Sequence, residues 1–158
     1  MPTIPWTTVA TPTTPEVQCM ASRLEVNSWL DAPGFLIASL ALWRQARRSP
    51  GALGIGLKAE MSKGIFWTYS AWEDRAAIYA YAGAEPHKST VARKRKVMRE
   101  ATFVFFTTPA NETPLSWAEI SRRIAEQRDA SSADHRAGPT TAALEKSSPN
   151  DSTRRRPS

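Results

Sequence analysis

A chain of 158 residues holds one domain with a modest core, because a second core needs roughly another 100 residues. Its one cysteine, Cys19, excludes an intrachain disulfide and any thiolate zinc site or multi-cysteine cluster, and it fits a reducing, cytoplasmic setting. A net charge of +6 and a pI near 9.9 raise phosphate or nucleic-acid binding, but the excess sits in one helical run (Lys88, Arg93, Lys94, Arg95, Lys96, Arg99) and at Arg154–Arg156 with no nucleic-acid motif around it, so a solvated helix face is the simpler reading.

Residues 1–16 carry Pro2, Pro5, Pro12 and Pro15 among threonines and read as an extended arm, with Trp6 available to pack. They lack the basic and apolar regions of a secretory leader, and no apolar run in the chain approaches the ~20 residues of a membrane span. From Gln18 to Val26 two sets alternate: Met20, Ser22, Leu24 and Val26 against Cys19, Ala21, Arg23 and Glu25, the pattern of a strand. Asp31 as a cap and Pro33 at an early helical position open a helix with Phe35, Leu36, Ser39, Leu40, Trp43 and Ala46 on one stripe, stopped by Pro50 and Gly51. Leu53 to Met61 and Ile65 to Ala71 alternate around Ser62-Lys63-Gly64 and read as a hairpin. Asp74 to Ala82 reads as a helix, and Gly83 and Pro86 separate it from a second one over His87 to Glu100, with Val91, Met98 and Ala101 inward. Thr102 to Thr107 is a final aromatic strand.

Strand, helix, hairpin, helix, strand is the order of an α+β, ferredoxin-like βαββαβ sheet with its helices on one face. The other face carries aromatic side chains and needs a cover, for which a second copy is the simplest candidate; hence a homodimer is expected. Ser116 and Glu119 have capping-box spacing and start a last helix with Trp117, Ile120 and Ile124 able to dock. The domain is thus expected over residues 17–127. From Asp129 onward Leu144 is the one large apolar residue, so 128–158 reads as a disordered tail.

The stretch Gly64–Phe106 (GIFWTYSAWEDRAAIYAYAGAEPHKSTVARKRKVMREATFVFF), with its F-W-T-x-S-x-W-E run, A-x-x-x-Y-A segment, P-H pair and basic helix before an aromatic strand, resembles antibiotic-biosynthesis monooxygenases and their spheroidene-monooxygenase-like branch. The resemblance implies a dimeric α+β barrel with an apolar cavity between sheet and helices. It implies monooxygenation of an apolar, aromatic or polyketide-like molecule in secondary metabolism, most simply without a cofactor. Haem-dependent oxygenation, lyase or isomerase chemistry and non-catalytic ligand binding stay open on the same fold.

His87, just after Pro86 at a helix start, is the candidate catalytic base, since the helix dipole favours its neutral ring; a structural loop-capping role is the alternative. Trp67, Tyr69 and Trp72 offer an aromatic wall for a planar substrate, although Trp72 has the opposite strand parity. Asn27 at a strand end and Arg23 are candidate polar contacts for substrate oxygens. Two histidines without an acidic cluster leave no multi-histidine metal site, and one axial histidine leaves haem conceivable. His135 falls in the expected tail.

Overall fold

The computed structural model describes residues 3–137, and the side chains of 134–137 are outside that description; the sequence beyond, including the Arg154–Arg156 run, lies outside the described residues. Five antiparallel strands form one sheet in the order β1-β3-β4-β2-β5: β1 Thr3–Thr8, β2 Glu16–Val26, β3 Ala52–Glu60, β4 Ile65–Trp72 and β5 Met98–Pro109. Without β1, the order is that of the ferredoxin-like βαββαβ sheet. The N-terminal arm adds a fifth, edge strand on β3. Trp6 of that arm lies against Gly54, where a Cβ would sit 2.2 Å from its ring, so the glycine makes room for the indole.

Helix α1 (Ala32–Arg48) starts differently from its sequence signal. Asp31 makes no capping hydrogen bond; Ser28 instead caps the 3-10 turn Trp29–Asp31 that feeds the helix, by accepting from Leu30 N–H. Helix α2 (Arg75–Gly83) is capped by Asp74, which accepts from Ala77 N–H at 2.8 Å. The β3–β4 turn closes through Gly64 at φ +65, a left-handed conformation, with a Cβ there only 2.7 Å from Val26.

Helix α3 (His87–Lys94) is shorter than its sequence pattern. After a 3-10 turn at Arg95–Val97, Met98 and Ala101 are in β5 rather than on a helix. The physical reason is the length of β2: its 11 residues offer ladder partners as far as Val26, which pairs with Met98. Cross-strand hydrogen bonding there outcompetes continuation of a helix rich in like charges.

Helices α1, α2 and α3 cover one face of the sheet. The other face is covered by α4 (Trp117–Ala137), whose Ile120 and Ile124 are fully buried on Val17, Cys19, Ala21, Tyr69 and Ala71. Ser116 accepts from Glu119 N–H at 3.2 Å, and Arg123 lies 4.3 Å over the Phe106 ring. Two arginines, Arg122 and Arg123, hold the Glu119 carboxyl at a pKa of about 2. The face expected to need a second copy is therefore covered by the chain's own helix. That helix also runs to Ala137, ten residues beyond the expected boundary at Gln127, so residues 128–137, His135 among them, are helical rather than tail. The Arg128–Glu100 ion pair at 2.5 Å fixes the start of this extension, and its alanines favour the helix. No helix of the described residues is long and apolar enough to cross a membrane.

Candidate active site

Strand parity separates two kinds of interior. On the helical face, one cluster gathers Val26, Ala32, Phe35, Ala59 and Phe66, and another gathers Ala46, Ala52, Trp72, Ile78 and Tyr81. Between them lies a cavity of about 150 Å³. Its floor is the even-numbered set of β2, Met20, Ser22 and Leu24, with Ile55, Leu57, Thr68 and Ser70 of the hairpin. Phe35, Ser39, Leu42 and Trp43 of α1 form one wall, and Tyr81, His87, Thr90, Val91 and Lys94 the other. Phe103, about half exposed on edge strand β5, also lines it.

His87 reaches this cavity because Gln45 of α1 clamps the junction of α2 and α3. Its side-chain oxygen accepts from His87 N–H at 2.8 Å, and its amide nitrogen donates to the Tyr81 carbonyl at 3.2 Å. His87 Nδ1 is 3.1 Å from the Ala82 carbonyl. A carbonyl accepts only, so Nδ1 carries the proton and Nε2 keeps its lone pair. Nε2 makes no hydrogen bond among the described residues. Burial pushes the His87 pKa down, more than the Ala82 hydrogen bond lifts it, and the ring is neutral at pH 7. Its face meets Tyr81, with ring centroids 4.7 Å apart.

Most other polar groups around the cavity have internal partners. Tyr81 OH donates to the Leu42 carbonyl at 3.2 Å, and burial pushes its pKa far up, so it stays a neutral phenol. Ser39 donates to the Phe35 carbonyl at 2.9 Å, Ser22 and Thr68 share a hydrogen bond of 2.5 Å, and Ser70 accepts from Trp72 Nε1 at 2.9 Å. Trp43 is different. Its Nε1–H is buried with no partner, while Arg47 stacks 4.6 Å over its ring.

Of the six residues singled out from sequence, His87 lines the cavity and Trp72 stands behind it, 5.2 Å from Tyr81 by ring centroids. Trp67 and Tyr69 face α4 and do not form a cavity wall. Trp67 Nε1 donates to Glu60 at 3.1 Å, drawing that carboxylate's pKa down, and Tyr69 OH accepts from Leu115 N–H at 3.2 Å. Arg23 shares that parity and sits buried between Glu25 and Glu100, at 3.2 and 3.6 Å. Asn27 is exposed and donates to the Lys96 carbonyl at 3.2 Å, tying the end of β2 to the turn before β5. Cys19 is buried under α4, its Sγ 3.9 Å from Tyr69 OH, and burial raises its pKa.

No protein-family model matches the chain, and no curated protein sequence matches it. Solved structures do. A structure titled antibiotic biosynthesis monooxygenase is 20% identical with a TM-score of 0.52, over 56% of this chain and 95% of that one. SnoaB, a cofactor-independent oxygenase from Streptomyces nogalater, is 16% identical with a TM-score of 0.50, over 60% and 94%. The chain has the antibiotic-biosynthesis-monooxygenase fold. A conserved protein from Methanosarcina mazei Go1 shares it at 11% identity and a TM-score of 0.53, over 58% and 92%.

Within the antibiotic-biosynthesis-monooxygenase fold, this chain's cavity sets limits on occupants. A volume near 150 Å³ is that of a site for benzene, roughly one ring with room to spare. A haem does not fit it as built. No three His, Cys, Asp or Glu side chains gather as a metal site among the described residues. The residues that sequence reasoning missed, Trp43, Tyr81, Thr90, Lys94 and Phe103, carried only the ordinary signal of an inward helical stripe or strand. Trp43 was on such a stripe, which marks it as core without showing that the core beside it is hollow.

Proposed function

We propose that the chain is a monooxygenase for a compact, apolar aromatic substrate, working without a cofactor and with His87 as its base. The observation that carries this reading is the tautomer of His87: Nδ1–H is committed to Ala82, which leaves a neutral Nε2 acceptor on a residue that lines a mostly apolar cavity. A phenol or hydroquinone placed there gives its O–H proton to Nε2. The resulting anion is electron-rich enough to reduce oxygen directly: a carbon–oxygen bond forms at a ring C–H carbon to give a peroxide, which takes the proton held by His87; loss of that carbon's own proton then breaks the O–O bond, leaving a quinone carbonyl on the ring and releasing the other oxygen as water with the two protons. Lys94, alone among the lysines and arginines of the described residues in lining the cavity, supplies positive charge that favours the anion. The likeness of fold to SnoaB supports the same chemistry.

Oxygen-electrode measurements with one-ring hydroquinones test it. Uptake should exceed spontaneous oxidation and fall by roughly 10²- to 10⁴-fold in His87→Ala, the usual range for a lost general base. Equal uptake by wild type and His87→Ala, or none by either, goes against it. A homodimer, implied by the family resemblance, belongs to the proposal as well, and light scattering reads it. A reducing cytoplasm suits the single buried thiol.

A further inference from the structure

Exposed large apolar side chains are unevenly spread over the described residues. The three most exposed, Trp29, Leu30 and Ile37 at 65%, 69% and 70%, fall in the 3-10 turn Trp29–Asp31 and the first two turns of α1. Pro33 and Gly34, also exposed, lie between them. Beside this stripe runs a line of cations. Lys88, Arg93, Lys94, Arg95, Lys96 and Arg99 occupy α3, the turn after it and the start of β5, and among the described residues only Arg99 of the six has an ion pair, with Glu25 at 3.4 Å. The acids flanking the run are engaged elsewhere: Glu85 accepts from Ser89, and Glu100 pairs with Arg23 and Arg128. Backbone contacts bring stripe and cations together. Asn27, two residues before Trp29, donates its N–H to the Val97 carbonyl at 2.8 Å, and its own carbonyl accepts from Arg99 at 3.0 Å. The Lys94 amine reaches Gly34, where a Cβ would sit 3.5 Å from it.

We propose that this is a docking surface for an anionic lipid bilayer: Trp29, Leu30 and Ile37 enter the headgroup region, and the unpaired cations meet lipid phosphates. A solvated helix face accounts for the charges, but not for the contiguous apolar side chains beside them. A nucleic acid offers phosphates and no apolar layer for Leu30 and Ile37. A bilayer interface offers both, and it suits a tryptophan, whose ring is apolar and whose N–H is wet. Each basic side chain close to an anionic surface corresponds to about a fivefold gain in affinity. Charge and apolar insertion act together, as surface-bound proteins require. Helices α1 and α3 also supply Phe35 and Lys94 to the cavity wall, so the docked side belongs to the hollow face of the sheet. The proposal concerns where the chain works and holds whatever reaction the cavity performs.

The test sediments the full chain with vesicles of phosphatidylcholine alone and of equal parts phosphatidylcholine and phosphatidylglycerol. The wild type should pellet with the anionic vesicles and stay in solution with the neutral ones. Replacing two cations together, Arg95→Gln with Lys96→Gln, should weaken binding by roughly 30-fold. Trp29→Ser with Leu30→Ser keeps every charge and should weaken it by roughly tenfold or more. All four positions are exposed, so circular dichroism should match the wild type in both variants. The emission of Trp29, taken as the difference between wild type and Trp29→Phe, should shift to the blue on anionic vesicles. No binding to anionic vesicles, equal binding to neutral ones, or full binding by either double variant overturns the proposal. Filter retention of a DNA duplex that is tighter than vesicle binding and indifferent to Trp29→Ser with Leu30→Ser also overturns it, and gives the patch to nucleic acid.

Discussion

The two faces of the sheet are built from the same strands and differ by one residue in phase, yet one has a continuous core, with a groove only toward the far end of α4 against β5, and the other is hollow between two clusters. Under α4 a continuous cluster runs from Val17 through Tyr69 to Ile124, and its charged members are paired: Arg23 with Glu25 and Glu100, and Arg128 with Glu100. Under α1 and α3 two clusters stand apart with a cavity between them. A single long helix laid along strands β2 and β5 fills its face. Three shorter helices meeting at an angle-forming junction around Pro86 leave a gap at their meeting point, and that is where His87 sits. Stability and binding are thereby assigned to opposite sides of one sheet.

Substitutions under α4 put this division at most risk. Ile124→Ala and Ile120→Ala remove fully buried side chains and should each cost about 2–5 kcal/mol in urea unfolding, while hydroquinone-dependent oxygen uptake stays as in the wild type. A parallel loss of uptake would show that the faces are coupled. Tyr69→Phe should cost about 1–3 kcal/mol, since the Leu115 N–H loses its acceptor in a part-buried place; uptake of oxygen should not change. Tyr81→Phe, on the hollow face, loses only the bond to the Leu42 carbonyl, about 1 kcal/mol, and its effect should fall on ligand binding as well as on stability.

The smallest effect is in pH. The His87 pKa is depressed in the folded chain, so below the ordinary value of 6.5 the unfolded chain binds the extra proton first. Stability should therefore fall as pH drops below that value, and the fall should end below the depressed folded pKa. His87→Gln should flatten this part of the profile relative to wild type. A steeper loss in His87→Gln would mean that the histidine is charged in the fold and that its neutral tautomer has been assigned wrongly.

Periodicity carried most of the architecture. The alternation of Gln18–Val26 and of the hairpin is strict because each strand faces two different interiors, so strand existence and order were legible. Parity alone did not say which interior was hollow. Trp67 and Tyr69 looked like a substrate wall because large rings attract that reading, whereas the cavity floor is made of Ser22, Thr68 and Ser70, small side chains that leave space. His87 was legible through the Pro-His pair at a helix start, a local signal. Trp43 was not, since its defining property is the absence of a partner, which depends on every neighbour at once. The cover supplied by α4 was half visible: Trp117, Ile120 and Ile124 marked a docking helix, but its claim to the face expected for a second copy depended on the loop that swings it there.

Gln45 makes one further point about this design. By holding the Tyr81 carbonyl with one end of its amide and the His87 N–H with the other, it splices two helices onto a third. Trp43 is two residues away on that same third helix, a rise of about 3 Å along its axis. His87 itself stands at the start of α3, so it is joined to the helix that carries Trp43 through the Gln45 side chain. A shift of α1 is thereby passed through one amide to the end of α2 and the start of α3, which makes Gln45 the joint by which one wall of the cavity sets the place of the other.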